Sequence, residues 1–141
     1  MADGCEVKLT FHTDKVVKAI DDAQSKLMSE AVDAVHKTVV EETLGGTRSG
    51  RTYYVPGTRR TYTASAPGEP PAVATAELRQ NIKTSVGSEG KTVVGMVGTD
   101  KIQGKMTEFG TRNMAARPWL RVSFEKAMPK IRGIFGKKWL P

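Results

Sequence analysis

The chain reads as an α+β domain: a long N-terminal helix and a C-terminal helix packed on a small, mainly antiparallel sheet, with a long projecting loop or hairpin between them. Three observations predict this. Apolar residues recur at three- and four-residue steps through the first third of the chain, the repeat of one helix face. Two strand-like runs between residues 81 and 99 flank a glycine-containing turn signal. A second helical stripe follows Pro118. At 141 residues the whole chain, 1–141, fits one domain, with residues 45–73 as an extended arm within it.

The elements follow in order. Val7-Lys8-Leu9-Thr10-Phe11 alternates apolar and polar, the period of a half-buried strand. Thr13 or Asp14 then offers an N-cap oxygen. Val16, Ile20, Ala23, Leu27, Ala31, Val35 and Val39 form one stripe on a helix of about 30 residues, about 45 Å long. The helix is expected to end near Leu44, with Gly45-Gly46 as a left-handed stop. Such a length exceeds what a domain of this size needs, so the stripe is read either as an ordinary core helix or as one that turns part of its face to another subunit.

Residues 45–73 are rich in Gly, Ser, Thr, Pro and Arg, and a loop this long is usually functional or mobile. Residues Arg51 to Tyr62 predict a β-hairpin turning at Pro56-Gly57. Pro70-Pro71 forbids helix immediately before it, and Thr75 is placed to cap a short helix through Glu77, Leu78 and Ile82. Asn81–Val86 and Lys91–Thr99 predict two strands joined at Gly87-Ser88-Glu89-Gly90. Ile102–Phe109 predicts a short helix or turn closed by Gly110. Pro118 suits the first turn of the last helix, whose apolar face is Leu120, Phe124, Ala127, Met128 and Ile131. Pro129 is expected to kink or shorten it.

Composition narrows the function. Only 38 % of residues are hydrophobic and 6 % aromatic, a lean core that suits a flat or elongated domain completing its burial against neighbours. The net charge of +7 is unevenly spread. Residues 1–44 hold 5 Lys/Arg against 9 Asp/Glu, and residues 45–141 hold 17 against 6. An acidic part and a basic part suit head-to-tail packing of copies, or one face turned to a polyanion. The single cysteine, Cys5, allows no disulfide within one chain and points to synthesis in a reducing compartment. The N-terminus shows no signal-peptide pattern. No apolar run approaches the ~18 residues of a membrane span, so no membrane partner is expected.

No catalytic constellation is assembled. His12, His36 and Cys5 lack metal-ligand spacing, and neither a nucleophile-elbow nor a phosphate-loop pattern is present. Gly45-Gly46-Thr47-Arg48-Ser49-Gly50 lacks the Lys-Ser/Thr ending of a phosphate loop. Among the carboxylates, Glu69 falls in a Pro-Gly turn that holds a side chain less firmly than a helix or strand, and Glu77 reads as a helix-start residue. The expectation is no enzyme, no cofactor and no metal.

The strongest interaction signal is the arm. All three tyrosines, Tyr53, Tyr54 and Tyr62, interleave with Arg51, Arg59 and Arg60, and Arg48 lies just before. Arginine binds phosphate bidentately and tyrosine offers a stacking face, which suits nucleic acid. The same pair is enriched in protein hot spots. The C-terminal run Lys126, Lys130, Arg132, Lys137 and Lys138 reads as a solvated helix face.

Two blocks carry a resemblance. Ala64-Ser65-Ala66-Pro67-Gly68-Glu69-Pro70-Pro71-Ala72, followed by Thr75 and Leu78, looks like an A-S-x-P-G-E-P-P-A…T-G-x-L run. Glu108-Phe109-Gly110-Thr111, then Met114 and Ala116-Arg117-Pro118-Trp119-Leu120, looks like an E-F-G-T…M-x-A-R-P-F/W-L run. In this order and spacing they resemble the HK97 gp10-like family of tailed-phage neck (tail-completion, head-tail joining) proteins, over roughly residues 45–132. Ala76 departs from the glycine of that pattern.

The resemblance implies a structural virion protein, made in the host cytoplasm and placed at the head-tail junction. It implies a homo-oligomeric ring, hexameric by analogy, between the head-closure or connector protein and the tail terminator and tail tube proteins, around genomic double-stranded DNA. A tail terminator capping the tail tube is the nearest alternative, and a free basic DNA-binding protein a more distant one. On this reading Arg48, Arg51, Tyr53, Tyr54, Arg59, Arg60 and Tyr62 contact neighbours or DNA. Pro67, Gly68, Glu69, Pro70, Pro71, Glu108, Phe109, Gly110, Thr111, Arg117 and Pro118 set the turns. Glu108, Arg112 and Arg117 form a charged cluster at the second turn or a subunit interface, and replacing Gly110 by valine is expected to disturb that turn if the φ of Gly110 is positive.

Overall fold

The computed structural model describes residues 9, 10, 12–72 and 77–137. The architecture is α+β, as the sequence predicts. Helix α1 spans Thr13–Lys37 and runs directly into a π-helical segment, Thr38–Thr43. A first hairpin pairs β1 (Thr52–Tyr54) with β2 (Thr61–Thr63). After the short α2 (Glu77–Gln80), a second hairpin pairs β3 (Lys83–Glu89) with β4 (Thr92–Gly98). Helices α3 (Ile102–Phe109) and α4 (Leu120–Phe135) follow. The strands form two separate antiparallel ladders rather than one sheet.

The strand expected over residues 7–11 lies outside the described residues, apart from Leu9 and Thr10, which carry no strand; the Thr75 cap and Lys138 also lie outside. The N-cap of α1 is His12, without a side-chain cap bond. Thr13 and Asp14 are already inside the first turn, where the Asp14 charge suits the positive end of the helix dipole. The helix ends at Leu44 as expected, but Gly45 and Gly46 are not left-handed. A Cβ on Gly45 would lie 2.5 Å from the Glu41 carbonyl oxygen, so close backbone approach is what selects glycine there.

Helix α1 is the central element. The β3–β4 hairpin lies against it on one side, and α4 packs on it and on the π segment. Gly95 of β4 lets the strand approach: a Cβ there would meet Val32 Cγ2 at 2.4 Å and Met28 Sδ at 2.8 Å. The core gathers Val35, Val39, Leu44, Ile82, Trp119 and Ala127, with Val40, Leu78, Val97, Leu120 and Ile131 packed around it. Only the C-terminal half of the predicted stripe is used. Leu27, Ala31, Val32, Val35 and Val39 are buried, whereas Val16 and Val17 are more than half exposed.

Two further boundaries differ from expectation. Strand β3 continues through Gly87, Ser88 and Glu89, so the turn narrows to Gly90-Lys91. Pairing across the two-residue loop carries more weight than the local turn propensity of Gly and Ser. Helix α4 starts at Leu120 with Trp119 as N-cap, leaving Pro118 outside it. Pro129 does not shorten α4, which continues to Phe135. The buried row of this helix is Trp119, Ser123 and Ala127, at steps of four, and Phe124 faces solvent.

Ser123 is buried because α4 meets the π segment there. Its hydroxyl donates to the Trp119 carbonyl (2.5 Å) and pairs with the Thr43 hydroxyl (2.7 Å). Thr38, also fully buried, donates to the Ala34 carbonyl at 2.9 Å. Lys130 closes the seam with a bond to Glu42 at 2.5 Å. A π turn rearranges the i→i−4 ladder of the helix, and here it brings Thr38, Val39 and Thr43 into the interior together.

Candidate functional site

The arm is a real hairpin with a tied base. Thr52, Tyr53 and Tyr54 pair with Thr63, Tyr62 and Thr61. The Thr58 N–H donates to the Val55 carbonyl (3.1 Å) around Pro56 and Gly57, whose φ is +74°. That is the pattern of a type II turn, which needs a positive φ at its third place. Tyr53 and Tyr62 stack across the ladder with ring centres 6.0 Å apart and planes tilted by 34°. Tyr54 is 77 % exposed, and Arg51, Arg59 and Arg60 are exposed around it. Tyr62 is half-buried and lines an open cleft with Leu44, Arg48 and Arg79.

Arg48 is placed differently from the other arm residues. Its guanidinium donates to the carbonyls of Thr43 (2.5 Å), Thr47 (2.9 Å) and Pro71 (3.2 Å). It therefore joins the end of the long helix to the far end of the arm. Partial burial pushes its pKa down, against the opposing pull of Glu69.

Glu69 supplies the second tie. The second Pro-Gly turn, Ala66-Pro67-Gly68-Glu69, has Gly68 at φ +85° and a 3.1 Å bond from the Glu69 N–H to the Ala66 carbonyl. The Glu69 carboxylate accepts from the Ser49 hydroxyl, from the Ser49 N–H at 3.1 Å and from the Ala66 N–H at 2.9 Å. These donors, the Ser49 hydroxyl first, hold the carboxyl below its usual range. The turn thus holds this side chain firmly, contrary to the expectation that a Pro-Gly turn would leave it loose. Pro70 and Pro71 carry the chain away, and the Pro71 carbonyl receives Arg48.

The second block is organised by another carboxylate. Glu108, at the end of α3, accepts the N–H groups of Trp119 (2.7 Å), Leu120 (2.9 Å) and Arg121 (3.1 Å). These are orphan donors of the α4 N-terminus. The charged cluster expected from Glu108, Arg112 and Arg117 is not formed: no ion pair joins them among the described residues. The backbone donors of α4 outcompete the guanidinium groups because they are fixed by the helix itself. Arg112 is exposed at the tip of a turn in which Thr111 and Met114 exchange backbone bonds of 2.9 and 3.2 Å. The Arg117 N–H bonds the Thr107 carbonyl at 2.7 Å, which ties this loop back onto α3.

Gly110 has φ +78° and ψ 176°, a conformation that is essentially restricted to glycine. A Cβ there would lie 2.9 Å from both Ala116 N and Met114 O. Phe109, beside it, points outward and is 77 % exposed. It continues a row on α3, Ile102, Met106 and Phe109, which the sequence reading did not single out. The signal was present as an i, i+4, i+7 spacing. The buried Thr43–Ser123 contact has no apolar signal in the sequence, where Phe124 is the more apolar neighbour.

Among the described residues no group of three or more His, Cys, Asp or Glu could hold a metal ion, and no helix is long and apolar enough to cross a membrane. The arrangement offers stacking, hydrogen-bonding and cationic groups on a tied arm, which is equipment for binding. No protein-family model, no curated protein and no solved structure matches the chain.

Proposed function

We propose that the chain is a structural component of a tailed-phage neck, a ring subunit that completes the tail and joins it to the head around the DNA path. The observation that carries this reading is the arm: Arg48 ties its base to the end of the long helix and Glu69 ties its two limbs together, while Tyr54, Arg51, Arg59 and Arg60 stay exposed. A clamp at the base and a contact surface at the tip suit a subunit that grips a neighbour.

The two blocks that resemble the neck family support it further. Each holds a carboxylate that fixes an irregular segment: Glu69 joins the two limbs of the arm, and Glu108 joins α3 to the start of α4. The same subunit placed at the top of the tail tube would be a terminator, and position in the particle separates the two.

Cross-linking mass spectrometry on purified virions tests the proposal. Links from Lys126, Lys130 or the lysines of α1 to head-closure and tail proteins are expected. Absence of the chain from the particle would overturn it.

The exposed arginines beside Tyr53 and Tyr54 favour a second reading, a free DNA-binding protein. That reading requires submicromolar duplex binding by the isolated chain, with a steep salt dependence. The neck reading requires weak binding outside the ring.

A further inference from the structure

Two helix faces on this chain are apolar and uncovered. The first is the N-terminal half of α1, where Val16 is 59 % and Val17 56 % exposed and Ile20 is half-buried. The second is α3, where Ile102 is 61 %, Met106 44 % and Phe109 77 % exposed. Both are continuous rows: positions 16 and 20 are four apart, and positions 102, 106 and 109 follow the four-then-three step of a helix face. Scattered exposed apolar residues need no explanation, but rows on two helices mark interaction surfaces.

The charges nearest the two rows are opposite, with Lys15 and Lys18 of α1 lying further round the helix from its row. Asp14 and Asp21 lie three before and four after Val17, in line with it on one flank of the α1 row. Lys105 lies between Ile102 and Phe109 on the flank of the α3 row, and Arg112 is exposed just beyond its end. None of these four has an oppositely charged partner within the chain among the described residues. The two surfaces therefore match each other in apolar character and oppose each other in charge.

We infer that the α1 row of one copy docks on the α3 row of the next, so that copies join head to tail through two different surfaces. The contact is heterologous, and a heterologous contact closes into a ring where the rotation permits. The segment of α1 before Leu27 spans about 20 Å, enough to reach a neighbouring body. The inference rests on the ring reading for the presence of further copies, and it names the surfaces that join them.

Sedimentation velocity and native mass spectrometry on the full chain test it, with circular dichroism to check folding. The double variant Val16→Asp/Ile20→Asp breaks the first surface, and Met106→Asp/Phe109→Asp breaks the second. Wild type is expected to form a higher oligomer and each variant alone to remain monomeric. An equimolar mixture of the two is expected to form a dimer and stop there, because one intact copy of each surface remains. Wild-type assembly by either variant, or a mixture that stays monomeric, overturns the inference. An assembled wild type alongside such a result leaves the ring reading standing with other surfaces. A wild type that is monomeric at every concentration also overturns the inference, and the virion cross-links then judge the ring reading separately.

Discussion

Glu108 caps the helix that begins beside Trp119 from eleven residues upstream: its carboxylate accepts the Trp119 N–H at 2.7 Å and the next two N–H groups as well. The same tryptophan sends its indole N–H back to the Gly104 carbonyl at 3.0 Å. Helices α3 and α4 are thus locked at both the backbone and the ring. Replacing Glu108 by alanine leaves three donors to water and is expected to cost about 1–2 kcal/mol. Glu108→Gln, which keeps an acceptor, should fall between alanine and wild type. Thermal denaturation checks this, and equal midpoints for Glu108→Ala and wild type would refute the cap.

Gly110 offers a second test at the same junction. Its φ of +78° with ψ 176° excludes side chains, and the nearest backbone atoms stand 2.9 Å from where a Cβ would sit. Gly110→Ala is expected to lose roughly 1–3 kcal/mol, and Gly110→Val more, because a branched Cβ meets the same atoms with less freedom. A valine variant as stable as wild type in urea titration would show that the turn is not held in this conformation.

The Thr43–Ser123 pair is the polar seam between the π segment and α4. Both side chains are buried, so deleting the Ser123 hydroxyl leaves Thr43 short of its partner, and deleting the Thr43 hydroxyl leaves Ser123 with the Trp119 carbonyl alone. Thr43→Val and Ser123→Ala are each expected to cost about 1 kcal/mol or more. The double variant should cost less than the two losses combined, by about 0.5 kcal/mol or more. Strict additivity in a double-mutant cycle would mean that the two hydroxyls act independently.

The arm's base should loosen in acid. Glu69 is held below its usual pKa by Ser49, Ala66 and Arg48. A carboxyl depressed in the folded state stabilises fully above its unfolded value, about 4.3. The contribution is lost as pH falls through the folded value. Amide exchange at Ser49 and Ala66, corrected for intrinsic rates, should therefore quicken on acidification below about pH 4. In Glu69→Gln these amides should be less protected at neutral pH and lose that acid dependence. An unchanged pH profile in the variant would assign the effect to another group, such as Glu42 or Asp100, whose pKa values are also lowered by lysine partners.

Tyr54 and Arg60 separate folding from assembly. Both are exposed, so Tyr54→Ala and Arg60→Ala should change stability by no more than about 0.5 kcal/mol. On the neck reading they should reduce incorporation of the chain into particles, measured by quantitative mass spectrometry of purified virions. Full incorporation of a double variant would remove the arm tip from the contact surface.

Much of this molecule was determined by short-range sequence. The stripe from Leu27 to Val39, the Pro56-Gly57 turn, the α3–Gly110 boundary and the α+β class all follow from periodicity and local backbone chemistry, and the structure carries each of them. What only the tertiary structure decided is where the carboxylates and hydroxyls go. Glu69 reaches back twenty residues to Ser49, Glu108 reaches forward eleven to Trp119, and Ser123 meets Thr43 across eighty. Such partners are selected by which orphan backbone donors and buried hydroxyls come within about 3 Å once the helices have packed. The same limit explains the uncovered rows of α1 and α3. Periodicity marks a face as apolar, but only packing shows which half of the stripe this chain buries itself and which half it leaves exposed.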